Sequence, residues 1–151
     1  MPLDLEVREQ LDHVALTRTM LARIDWTGWE LKPVVQSTVS PRTDSLLLAR
    51  DVILCHCGEP EQYGANVKAW VWRWPLHLTV LTSDPERGMR ACRLLHERIS
   101  GWPYERGTKY GKVGAIPDNP GFSIVGTGDM ASSKSVFAFA CTKLVQAGFV
   151  R

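Results

Sequence analysis

Long apolar runs are missing from this chain. No uncharged apolar segment approaches the ~20 residues that a bilayer-spanning helix needs, so no membrane partner is expected. A secretion signal is missing too: Met1-Pro-Leu-Asp-Leu-Glu-Val-Arg-Glu9 carries charges where such a signal requires an apolar stretch. The product is therefore expected to stay in the cytosol where it is made. Its four cysteines should then be reduced thiols and not a disulfide framework. There is no C-x-x-C pair, the usual half of a structural zinc site. Internal repeats and low-complexity tracts are absent as well. Charge of one sign is scarce, and a net charge of +2 does not by itself argue for nucleic acid or a membrane surface.

What the sequence does have is 151 residues of ordinary composition, 44% hydrophobic and 23% charged, enough for one domain with a real core. Its six tryptophans are more than usual. Each large aromatic buries about 150–250 Å², so a few of them set a core or an interface. The densest information lies between Trp70 and Glu86. Trp70, Trp72, Trp74, Leu76, Leu78 and Val80 share one parity, and an extended chain puts them on one face. Arg73, His77 and Thr79 take the other. Pro75 cannot donate to a ladder and therefore predicts an edge position or a bulge, which would swap the faces beyond it. The segment runs into Ser83-Asp-Pro-Glu86, read as a capping box with proline in the first turn.

Around that strand the periodicity predicts an amphipathic helix over 4–25, capped by Asp4, with Leu3, Val7, Leu11, Val14 and Leu21 near one stripe. Residues 27–45 read as a connector with a short strand at Val34–Val35. Leu46–Cys57 reads as a strand that pairs with the tryptophan strand in a long antiparallel hairpin, turning through Gly58–Gly64. A second helix is expected over about 84–100, with Gly88, Cys92, Leu95 and Ile99 inward and Gly101 ending it. Short strands follow at Val113–Ile116 and Phe122–Val125 around the turn Pro117–Gly121, then a loop over Gly126–Lys134 and a closing strand at Val136–Val145. The fold class is thus α+β: one domain over 1–151, with a mixed, mostly antiparallel sheet, a long β-hairpin, an N-terminal helix and a second helix.

A search for chemistry finds little. Cys55 and Cys57 share a strand face while His56 points away, so the three cannot converge on one ion. His77 and His96 have no carboxylate that the sequence places near them, and Asp84 and Glu86 are explained by the helix N-terminus they occupy. The glycines at 107, 111, 114, 121, 126 and 128 lack the lysine and the strand–helix context of a phosphate loop. No catalytic residue, metal ligand or cofactor is expected. One cluster remains: Arg98, Arg106, Lys109 and Lys112 face a single Glu105, with Trp102, Tyr104 and Tyr110 between them. Such interleaving can contact nucleic acid, can anchor a protein interface, or can be a solvated loop whose aromatics pack on the sheet.

The element order, with Trp74-Pro-Leu-His-Leu-Thr-Val80, the helix start at Ser83-Asp-Pro85, Val113-Gly-Ala-Ile-Pro117 and Val136-Phe-Ala-Phe-Ala-Cys141, resembles the tail terminator (tail completion) proteins of long-tailed, non-contractile bacteriophages, particularly those of actinobacteria. The resemblance covers roughly residues 45–146. It implies a homo-oligomeric ring, a hexamer, that caps the finished tail tube and meets the neck or head–tail connector, with DNA only in transit through its lumen. No catalytic residue carries over. It makes Arg98, Trp102, Arg106, Lys109 and Lys112 candidates for the subunit interface or the lumen, with the interface preferred because a cation-lined lumen would retain DNA. Trp70, Trp72 and Trp74 are candidates for the hairpin core or an interface. Separately, a hairpin of about 16 residues per strand would span roughly 50 Å, more than one such domain covers.

Overall fold

The longest alternation in the sequence becomes the central strand of the sheet. The computed structural model describes residues 11–40, 42–63, 71–129 and 135–149. In chain order these form α1 (His13–Ala22), β1 (Val34–Gln36), α2 (Thr43–Leu47), β2 (Val52–Cys57), β3 (Glu61–Tyr63), β4 (Val71–Thr82), α3 (Pro85–Ser100), a 3-10 turn (Trp102–Tyr104), β5 (Lys112–Asp118), β6 (Ser123–Asp129) and β7 (Ser135–Gly148). The sheet runs β1-β2-β4-β7-β5, with β3 also beside β4 and β6 also beside β7. Only β1 and β2 are parallel among these pairs, so the sheet is mixed and mostly antiparallel. The α+β class expected from the sequence holds.

Within β4, Trp74, Leu76, Leu78 and Val80 are all at most 1% exposed, whereas His77 between them is open to solvent. That face meets Leu16 and Met20 of α1 and Leu95 and Ile99 of α3 in one continuous core, so both helices lie on the same side of the sheet. A smaller cluster on the other side joins Leu47 of α2 to Val52, Leu54, Leu81 and Val136. Full burial of each such aliphatic side chain is worth about 1.5–3 kcal/mol against exposure, which makes β4 the main organiser of the fold.

Pro75 lies on this central strand, neither at an edge nor in a bulge. Its register with β7 is unbroken, from Trp74↔Val145 through Pro75↔Leu144 to Leu76↔Lys143, and the buried parity does not switch. The missing N–H falls at a seam: β2 ends opposite Leu76, β3 begins opposite Arg73, and the Gly58 amide donates to the Pro75 carbonyl at 2.8 Å. The seam is tight, since a Cβ on Gly58 would sit 2.4 Å from Pro75 Cγ.

Other expectations change in the same way. The hairpin is short: β2 pairs with β4 over six positions, because Thr43–Leu47 winds as helix α2 and β2 starts only at Val52. The long partner of β4 is β7, matched over twelve positions from a distant part of the chain. The 50 Å hairpin is therefore replaced by an internal pair, and the argument from its uncovered length does not stand. In α1 the side chain of Asp12 caps Ala15 N, Val14 is 37% exposed, and the inward residues are Leu16, Thr17, Met20 and Leu21. Asp4, Leu3, Val7 and Trp70 lie outside the described residues. Helix α3 is capped by Asp84, which accepts from Glu86 N and Arg87 N, and not by Ser83, whose hydroxyl donates to Leu47 O. Its inward face is Gly88, Ala91, Cys92, Leu95 and Ile99, as the spacing predicts with Ala91 added. Gly126–Asp129 belongs to strand β6 instead of a loop.

Candidate assembly surface and a buried lysine

Strand β6 is built from Ser123-Ile-Val-Gly-Thr-Gly-Asp129, with no proline or lysine to blunt it. Among the described residues it pairs only with β7, so its other side offers unpaired backbone groups. Residues 123–128 are exposed throughout, with Ile124 at 58% and Val125 at 62%. Register shifts between Ile124 and Gly126, which places Val125 in a bulge and turns it outward. The other margins are protected. β1 and β3 are three residues each, and β5 carries Lys112, Pro117 and two register shifts.

Apolar surface continues from β6 on both faces of the sheet. On the helix side, a groove of about 610 Å³ between α3 and the β6–β7 ribbon is lined by Met89, His96, Phe122, Ile124, Phe137 and Phe139, among others. On the opposite side a shallower recess of about 330 Å³ is lined by Val39, Leu47, Leu81, Val136 and Ala138 with the β6 glycines. Val39 and Met89 are 62% and 48% exposed. A strand edge with no charged residue over 123–128, flanked by two apolar recesses, can be completed by an extended segment of another chain.

Beneath the groove lies a polar cluster that sequence reasoning missed. Lys143 of β7 is 0% exposed, on the inward parity of its strand. Its Nζ lies 2.9 Å from His96 Nδ1 and donates to Asn119 Oδ1 at 2.5 Å and Pro120 O at 2.7 Å. The Phe122 ring centroid is 5.9 Å away. Asn119 in turn donates to Ser100 Oγ, which donates to His96 O. Burial lowers the Lys143 pKa, and burial together with the Lys143 charge lowers that of His96. A lysine between Thr142 and Leu144 gives no sequence signal beyond its place on the apolar parity of a closing strand.

The basic and aromatic residues of 98–112 do not act as one cluster. Trp102 is 1% exposed and belongs to the core, so it offers no surface to a neighbour or a lumen. Lys112 Nζ donates to Pro103 O and Val113 O and ties the 3-10 turn to β5. The Arg23 guanidinium holds the loop by donating to Arg106 O and Gly107 O. Arg98 lines a small recess with Arg23, Asp25 and Glu105, and its charge helps to lower the Asp25 pKa. Arg106 and Lys109 are exposed, as is Tyr104 at 91%, and Lys109 Nζ lies 5.1 Å from the Tyr110 ring centroid. Trp74 is core, and Trp72 is half-buried and packs against that core.

Cys55 and Cys57 sit together on the core side of β2, and His56 points away to stack on His77 at 5.8 Å between ring centroids. A hydrogen bond from Cys55 lowers the Cys57 pKa, with Thr17 and Arg18 adding, and Cys55 moves up. Among the described residues no group of three or more His, Cys, Asp or Glu side chains could hold a metal ion.

Fold and surface together define a class: an α+β domain that, among the described residues, leaves the β6 edge open. No protein family matches the chain, and no curated protein is similar to it.

Proposed function

We propose that this chain is a structural subunit of a virion tail, forming a closed ring that ends the tail tube and joins it to the neck connector. The observation that carries the reading is β6, an edge strand whose residues 123–128 are all exposed and which is flanked by apolar recesses. A monomer left with such an edge is prone to open-ended association. Where the β6 edge of one subunit takes up an extended segment of the next, the contact is head-to-tail, closes a ring if the rotation permits, and removes the hazard. The element order that resembles tail terminators adds the setting: a hexamer, with tail tube protein on one face, connector on the other, and DNA passing through the lumen.

Negative-stain microscopy and mass photometry of the purified protein, alone and mixed with tail tubes, test this directly. Rings, free or at tube ends, are expected. A chain that stays monomeric in both settings removes the proposal. Rings seated at the capsid vertex would make it a connector subunit, and uniform incorporation along the tube would make it a tube subunit.

A second reading, a small nucleic-acid-binding protein, draws on Tyr104, Arg106 and Lys109, each of which is exposed. It expects salt-dependent DNA binding that Arg106→Ala with Lys109→Ala weakens. No binding by the unaltered protein would end it.

A further inference from the structure

We infer that Lys143 and His96 form an acid-released latch that holds the Asp118–Gly121 turn, and with it one wall of the apolar groove. Three elements meet at the Lys143 nitrogen. His96 comes from α3, Asn119 and Pro120 from the β5–β6 turn, and the lysine itself from β7. The two residues after Pro120, Gly121 and Phe122, line the groove. Whatever holds Pro120 therefore fixes where that wall stands.

The acceptors are the unusual part. A fully buried lysine ordinarily faces a carboxylate. Here its contacts are a ring nitrogen, a side-chain amide oxygen and a backbone carbonyl, all uncharged. Across the 2.9 Å between Nζ and His96 Nδ1 there is room for one shared proton. A second proton, taken from solvent onto the imidazole, sets donor against donor and cation against cation at that distance. Nearby charge does little to offset it. The Asp118 carboxylate on β5 favours the Lys143 charge, but it is exposed and counts for less than the burial that lowers the lysine; Cys141 on β7 is a thiol whose pKa burial raises, and Cys92 and Arg93 on α3 add no negative charge near neutrality.

The sign follows from linkage. His96 has a lower pKa folded than unfolded, so its contribution to the closed form is present above about 6.5 and is lost as pH falls through the folded value. Acid therefore opens the latch, and alkali does not.

Hydrogen–deuterium exchange of the full chain, read by mass spectrometry at about pH 7.5 and about pH 5 and corrected for intrinsic exchange, tests this. In the unaltered protein, the segment 117–123 should open about tenfold more at the lower pH, while α3 stays protected. His96→Asn keeps an acceptor near the Nδ1 position without a titrating ring, and should remove the acid response. Lys143→Met should leave the segment open at both pH values. Equal protection at the two pH values in the unaltered chain overturns the latch, as does an unchanged acid response in His96→Asn.

Discussion

Gly88→Ala sets helix propensity against packing, and the two give opposite signs. Gly88 lies in the first turns of α3, where alanine in place of glycine ordinarily gains about 1 kcal/mol. The structure reverses this, because a Cβ at Gly88 would lie 2.4 Å from Thr82 Cγ2 and 3.0 Å from Thr82 Cβ. The threonine cannot rotate away freely. Its hydroxyl donates to Asp51 Oδ1 at 2.7 Å and accepts from Asp84 N at 3.1 Å. Asp51 itself is 1% exposed and paired with Arg87 Nε at 2.9 Å. Overpacking of this kind costs about 1–3 kcal/mol. Turning Thr82 aside would instead lose a hydrogen bond to a buried carboxylate, about 1.5–3 kcal/mol. A 2.4 Å contact puts the cost in the upper part of the overpacking range, about 2–3 kcal/mol, so after the propensity gain Gly88→Ala should destabilise by about 1–2 kcal/mol, or a few degrees in Tm. Thr82→Ser removes the clashing methyl and keeps the hydroxyl, so in the double variant the two changes should be coupled by about 1 kcal/mol or more. Urea unfolding followed by tryptophan fluorescence measures all three variants. If Gly88→Ala alone is as stable as the parent, or if the serine gives no rescue, the close α3–β4 contact is not what limits this position.

Three further outcomes follow from the geometry. Val125→Lys puts a charge on the exposed bulge of β6, and should abolish self-association while leaving the unfolding midpoint within about 0.5 kcal/mol of the parent; rings that persist would remove β6 from the interface. Trp102→Ala empties a fully buried site and should cost about 3–5 kcal/mol in the same urea assay, whereas a surface role would leave stability nearly unchanged. Cys57, its pKa lowered beside the Cys55 thiol, should be the first of the four thiols alkylated by iodoacetamide at neutral pH; Cys92, pushed up to about 12 by burial, should lag, and peptide mapping that finds the reverse order refutes the hydrogen-bond account.

Local rules were sufficient wherever neighbours in sequence are also neighbours in space. The parity of Trp74, Leu76, Leu78 and Val80 read correctly because a one-sided strand needs only alternation. Helix α3 read correctly from its proline, its inward stripe and Gly101, although its cap is Asp84 and not Ser83. The failures share a cause. Leu46–Leu48 is apolar enough for a strand, yet α2 places Leu47 against Val52 on the second face of the sheet, and a short apolar run has no period that separates the two states. Pro75 was misread because its tolerance depends on the gap between β2 and β3, which local sequence does not encode. The basic and aromatic residues of 98–112 were grouped by adjacency, while Trp102, Lys112 and Arg98 are directed to three different environments.

The sequence by itself determined the α+β class, the inward faces of β4 and α3, and the lack of a metal motif, since each follows from spacing along the chain. Tertiary structure decided which strand accompanies β4 along its length, which edge is left open, and which lysine is buried. β7 lies more than fifty residues beyond β4 and pairs with it at every position of that strand. That pairing leaves β6 at the margin and carries Lys143 onto His96 and Asn119. Such pairings depend on how apolar faces are shared among distant segments. That is a property of the packed whole, and no local window contains it.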